Sequence, residues 1–207
     1  MKALHWKTAG AAVVARAFPL GAVPSRAATP AEGRPLTPAS TGPDLSVLPL
    51  TDRHLNPREK ANLAAVLQAY DTAEGDKLNV PAFEAVFARN GVFNDVVAGH
   101  TYQGEALGQV LNKMVGILPD VHRELKQITV HGDVISIELS VRGTFNGSLP
   151  TPAGTLKGNG AKVDIPTADF WYLRNGKVEK FDCYLGYSAF YTQLGVNWDW
   201  AAAVGNN

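Results

Sequence analysis

Hydrophobic positions recur with two different periods along this chain. In "NPREKANLAAVLQAYDTAEGD" the apolar residues Leu63, Val66, Leu67 and Tyr70 fall at i, i+3, i+4 and i+7, the spacing of one helix face. Asn56 precedes that run as a cap, Pro57 occupies the first helical position and Glu59 can reach back to complete a capping box, so the pattern predicts an amphipathic helix. "VPAFEAVFARNG" repeats the spacing in shorter form: Phe83, Val86 and Phe87 share a face and Asn90-Gly91 reads as the stop. "GVFNDVVAG" predicts a short strand. A third helix follows, with Leu107, Val110, Leu111, Met114, Val115 and Leu118 in register and Pro119 ending it.

From residue 121 the period becomes two. In "VISIELSVRGTF" Ile135, Ile137, Leu139, Val141 and Phe145 alternate with polar residues, so one face of this strand is buried. His131-Gly132-Asp133 marks a tight turn joining it to "HRELKQITV". "VDIPTADFWYL" and "KVEKFDCYLGY" flank "RNGK", whose Asn175-Gly176 is a hairpin signal. "SLPTPAGTLKGNG" reads as a Gly- and Pro-rich connection and lacks the strand-turn-helix context of a phosphate loop. Helices first and an antiparallel meander afterwards predict an α+β domain, three N-terminal helices lying on one face of a curved sheet.

Composition changes this picture at the ends. Residues 1–28 carry Lys2, Lys7, Arg16 and Arg26 but no acid, and "TAGAAVVA" supplies an apolar stretch, a pattern expected of an export signal, with a disordered extension as the alternative. On the first reading the protein is periplasmic or secreted, otherwise cytoplasmic. Residues 29–55 are proline-rich and read as a linker or arm, 56–195 as the folded domain, and 196–207 as a tail. Formal net charge is zero with no basic stripe, which argues against a nucleic-acid partner. After the leader, no segment is long and apolar enough for a membrane-spanning helix. A single cysteine, Cys183, excludes an intramolecular disulfide and a four-thiolate zinc site.

The order of "AYDTAEGD", "TYQGEALGQVL", "LPDVH", "GDVISIELSVRGTFNG", "DFWYLRNGKVEKF" and "FYTQLGV" is similar to that in the SnoaL-like polyketide cyclases, within the nuclear-transport-factor-2-like superfamily, over roughly residues 57–195. The resemblance implies a cone-shaped fold around a pocket that takes a small apolar or polyketide-like molecule. It further implies cofactor-independent proton abstraction next to a carbonyl, and a homodimer through the free sheet face. An alternative on the same fold is a non-catalytic ligand-binding or assembly protein. The chemistry needs a carboxylate whose pKa is raised by an apolar site.

Matched through "NGK" and "QLG", the position of the cyclases' catalytic Asp is Cys183, with Asp182 one residue out of phase. Alternation puts Phe181, Cys183, Leu185 and Tyr187 toward the pocket, and Val178, Lys180, Asp182 and Tyr184 away from it. The same match places Asp169 where the family has a pocket His, so Asp169 is the candidate base and His122 its candidate partner. Trp171, Phe181, Cys183 and Tyr187 are the candidate pocket walls. Asp95 and His100 are candidates for the rim, and Tyr102 for anchoring the third helix. Asp120 and His122 form a D-x-H pair, but with no second His at ligand spacing no metal is expected, nor any organic cofactor.

Overall fold

The computed structural model describes residues 54–196 together with 199, 201 and 204; the expected export signal, nearly all of the linker and most of the tail lie outside them. Helix α1 (Pro57–Thr72) begins with the capping box: Asn56 Oδ1 accepts from the Glu59 amide at 3.0 Å, and Glu59 Oε2 accepts from the Asn56 amide at 3.1 Å. Glu59 is almost fully buried because its other oxygen accepts from the Gly132 amide at 2.9 Å. The cap therefore also ties α1 to a distant turn. A 3-10 turn at Gly75–Lys77 leads into α2 (Val80–Glu84), then strands β1 (Phe87–Asp95) and β2 (His100–Gln103), and helix α3 (Ala106–Ile117).

Strands β3 (His122–His131), β4 (Val134–Thr144), β7 (Lys162–Arg174) and β8 (Lys177–Leu185) complete a six-stranded sheet in the order β2-β1-β8-β7-β4-β3. Only β1 against β8 is parallel. The β7–β8 turn is the Asn-Gly hairpin expected, with both residues at positive φ, 52° and 73°. Helix α4 (Tyr187–Gln193) follows the last strand, and a separate hairpin is formed by β5 (Ser148–Thr151) and β6 (Gly154–Lys157). No helix among the described residues is long and apolar enough to cross a membrane.

Two elements differ from expectation. Phe83, Val86 and Phe87 are all buried, but only Phe83 is helical; the chain is already a strand at Phe87. Three apolar residues at i, i+3 and i+4 fit one helical turn and equally a turn running into a strand. Gly91, expected to stop that helix, sits inside β1 at a break in its pairing with β8, where a Cβ would lie 2.5 Å from the Val178 carbonyl oxygen. The stretch expected to be a plain connection contains the β5–β6 hairpin, which turns at Pro152-Ala153 and resumes at Gly154 with φ 128°.

Irregular pairing sets which side chains reach the interior. Between Leu125 and Gln127 the β3–β4 register shifts by one, leaving Lys126 as an extra residue. Glu179 is the extra residue of β8 against β7. That shift brings Val178 into the core, fully buried, where alternation alone had placed it outside. The core lies between the helices and the concave face of the sheet, built around Trp171, Phe145, Phe190 and the isoleucines 128, 135, 137 and 165.

Candidate active site

The middle strands carry the site. Across the concave face Asp95 of β1 pairs with Cys183 of β8, which pairs with Asp169 of β7, so the thiol stands between two carboxyl groups in one row. The next row holds Phe93, Phe181 and Trp171, with Phe181 and Trp171 stacked at 3.7 Å and 7°. These residues, with Tyr70, Arg123 and Tyr187, line a cavity of about 80 Å³, or about 650 Å³ with its open mouth included. A water needs about 10–15 Å³ measured as the smaller figure is, so the enclosed part holds several waters or one small ring, and anything larger extends through the mouth.

Asp169 is 3% exposed. Its Oδ2 accepts from the Tyr70 hydroxyl at 2.7 Å, and that hydroxyl accepts from Trp171 Nε1 at 3.0 Å. Oδ1 is buried and has no hydrogen-bond partner of acceptable geometry. Burial raises the carboxyl pKa to about 6, while the Tyr70 hydrogen bond, the Cys183 thiol and the Arg123 charge hold it down in that order. Near pH 7 most of it is an ionised carboxylate with no N–H or O–H donor on Oδ1. Tyr70 stays a neutral donor: burial first, then the Asp169 charge, push its pKa well above the ordinary value.

Cys183 faces the cavity, as the two-residue period requires. Its thiol pKa is raised well above the ordinary value by burial and then by Asp169, so it is a protonated, weakly reactive thiol and not a nucleophile. Asp182 points the other way. It is nevertheless buried, accepting from Asn94 Nδ2 at 2.7 Å and from Lys180 Nζ at 2.6 Å. Asp95 accepts a short hydrogen bond from the Tyr187 hydroxyl, which fixes the first residue of α4 against the sheet. Burial and then Asp95 raise the Tyr187 pKa, so this hydroxyl too remains a donor.

The structure brings Asp169, Asp95, Trp171, Phe181, Cys183 and Tyr187 together. It does not bring in His122 or His100. His122 is about half exposed on the far side of β3, its Nδ1 2.7 Å from Glu74 Oε2, because the bulge at Lys126 reverses the facing of the first residues of the strand. His100 is exposed at the start of β2 and meets the ring of Tyr102. Asp120 is occupied by the Thr144 amide and hydroxyl at 2.6 and 2.7 Å. The described residues contain no group of three or more His, Cys, Asp or Glu side chains able to hold a metal.

Sequence reasoning missed two site residues. Tyr70 was read as a core position of α1, which it is, but its hydroxyl end reaches the carboxylate. Arg123, which the bulge turns inward in place of His122, lines the cavity with its Nη1 donating to the Ala73 carbonyl at 2.6 Å.

A curved, mainly antiparallel sheet wrapped on helices around a pocket of this kind defines a cone of the nuclear-transport-factor-2-like type. The SnoaL-like domain family model matches residues 65–181, and the chain belongs to that family. A protein assigned as a SnoaL-like polyketide cyclase from Jannaschia sp. CCS1 superposes with a TM-score of 0.60 at 18% identity, covering 70% of this chain and 99% of that one. One assigned as a polyketide cyclase from Bacillus cereus superposes at 0.56 with 22% identity, covering 73% and 95%. A Mycobacterium tuberculosis LEH-like epoxide hydrolase superposes at 0.50 with 12% identity, covering 67% and 92%. At these identities the likeness is one of fold. No curated protein matches the chain.

Proposed function

We propose that the cavity performs cofactor-independent proton transfer on a small carbonyl compound, with ring closure or isomerisation of a polyketide-like substrate as its outcome. The observation that carries this reading is Asp169 Oδ1: a buried carboxylate oxygen that no N–H or O–H group donates to, beside the Cys183 thiol in a largely apolar cavity, on a group whose pKa of about 6 makes it a stronger base than an ordinary Asp. Oδ1 takes the proton from the carbon next to the carbonyl and the C–H electron pair moves onto the carbonyl oxygen as an enolate; the enolate carbon then either attacks a second carbonyl, whose π pair becomes an alkoxide that takes the proton back from Asp169, or is itself reprotonated by Asp169. Tyr70, on the opposite oxygen, orients the carboxylate.

Deuterium exchange next to the carbonyl of cyclohexanone, followed by NMR in D2O, tests it. The wild-type protein accelerates exchange and Asp169→Asn does not; equal rates overturn the assignment. A non-catalytic ligand-binding protein is the second reading, favoured by Cys183 at the position matching the cyclases' base and by the protonated state of its thiol. Under that reading neither protein accelerates exchange, and native mass spectrometry finds a retained small molecule.

A further inference from the structure

Arg123 is the one arginine among the described residues that lines the cavity, and no carboxylate pairs with it. The described ion pairs use Arg58, Arg142, Arg174, Lys77, Lys180 and His122, and none of them uses Arg123. The guanidinium is held from behind. Its Nη1 donates to the Ala73 carbonyl at the C-terminal end of α1, where the helix dipole favours a cation, and its own backbone amide donates to Glu74 Oε1 at 3.0 Å. Its charge reaches the two groups at the centre of the row, since it pulls down the pKa of both Asp169 and Cys183.

A partly buried cation that is anchored on a carbonyl and makes no direct ion pair is uncommon, because burial penalises a charge without a close partner, and Asp169 acts on this one only through space. The fork of a guanidinium fits two oxygens of a carboxylate at once, and one hydrogen bond to Ala73 leaves most of its donors unspent. Its cross-strand partner is the apolar Val141, and the other charged groups that line the cavity, Asp95 and Asp169, are carboxyl groups. An anionic oxygen pair is the ligand group that this corner lacks.

We infer that Arg123 is a specificity-determining residue and that the natural ligand carries a carboxylate, making it a small keto acid or carbocyclic acid and not a neutral ketone. This rests on the proton-transfer reading for what happens to the ligand, but not for its binding. The acid group docks on Arg123 at the end of α1, and the rest of the molecule lies over Trp171 toward Asp169. The two like charges are kept apart by docking the acid on the cation.

Binding of benzoate and of benzamide, measured by calorimetry or NMR titration at fixed ionic strength, tests the inference without turnover. The wild-type protein binds benzoate about 10- to 100-fold more tightly than benzamide, the range expected for a charge-assisted pair. Arg123→Gln binds the two alike, and Arg123→Lys recovers part of the preference, since an ammonium lacks the fork. Equal binding by the wild type overturns the inference and needs no variant to do so. An acid preference that survives in Arg123→Gln overturns it as well. Asp169→Asn keeps the preference while losing exchange, so failure of the base assignment and failure of the acid-binding assignment show up in different measurements.

Discussion

The Tyr70 hydroxyl donates to Asp169 Oδ2 at 2.7 Å while accepting from Trp171 Nε1, so a residue of α1 holds a carboxylate buried in the middle of the sheet. That hydrogen bond opposes the effect of burial on Asp169, and its removal has a definite sign. In Tyr70→Phe the carboxylate loses a donor to its charged form, and its pKa rises above about 6. Carbon-13 NMR titration of Asp169 reads the shift directly, and the acid limb of any exchange activity moves to higher pH with it. Trp171 Nε1 is left without its acceptor, so the variant is also about 1–3 kcal/mol less stable. A pKa that stays or falls contradicts the assignment.

Asp169 itself burdens the fold near neutral pH. Its pKa of about 6 in the folded protein lies above the ordinary value of 3.8, so between those values the folded state binds more protons than the unfolded one and stability falls as pH rises. The loss is complete above about pH 6 and amounts to about 3 kcal/mol at 1.36 kcal/mol per pKa unit. Asp169→Asn keeps an acceptor for Tyr70 and removes the charge. Urea denaturation therefore finds it at least as stable as the wild type at pH 7.5 and finds its advantage gone at pH 4. An advantage that is the same at both pH values means that the buried charge is not its source.

His122 titrates with the opposite consequence. Its hydrogen bond to Glu74 raises the imidazole pKa above 6.5 against an opposing effect of burial. The pair is thus stabilising below 6.5 and loses its contribution as pH rises through the folded value. Glu74, between α1 and α2, is buried, but the His122 side chain at the start of β3 is 49% exposed, so solvent screens the pair and the amount is about 1 kcal/mol. His122→Ala is destabilised at pH 5.5 and indistinguishable from the wild type at pH 9 by thermal melting. Proton exchange, if catalysed, stays within about twofold, because the ring does not face the cavity.

His122 was a candidate by its residue type and its place beside Asp120 at the entrance to the sheet, and a single extra amino acid decides that it is not a site residue. Counting back by twos from the buried Ile128 and Val130 puts His122 inside and Arg123 outside; the bulge at Lys126 reverses both. Nothing in a local apolar pattern announces a bulge. Where no bulge intervenes, as from Phe181 to Leu185, the two-residue period was enough to separate Cys183 from Asp182, and the Asn175-Gly176 turn fixed the pairing with β7. The same logic explains Tyr70. Its place in the helical stripe is plain, but reaching Asp169, 99 positions further along, depends on how α1 crosses the sheet, and the Glu59 bond to Gly132 that sets this crossing is a long-range contact.

Cys183→Asp places a carboxylate in the same row as Asp95 and Asp169, at the position that the sequence resemblance aligns with the cyclases' base. Three acids side by side in an apolar wall cannot all ionise cheaply, so the introduced carboxyl group and Asp169 share protons and titrate as a coupled pair, with at least one apparent pKa well above the ordinary carboxylate range. Raised carboxylate pKa values stabilise the folded state when protonated and cost stability as pH rises through them. The variant is therefore only slightly less stable than Cys183→Ser at pH 4.5, and less stable by about 2 kcal/mol or more at pH 8, the scale of an uncompensated buried charge. Urea midpoints at the two pH values measure the difference, and a gap independent of pH contradicts the coupling. The alkaline limb of exchange activity sorts the two functional readings: a base restored at this position raises the exchange rate above that of Cys183→Ser, whereas a pocket built only for binding gains nothing from the added carboxylate.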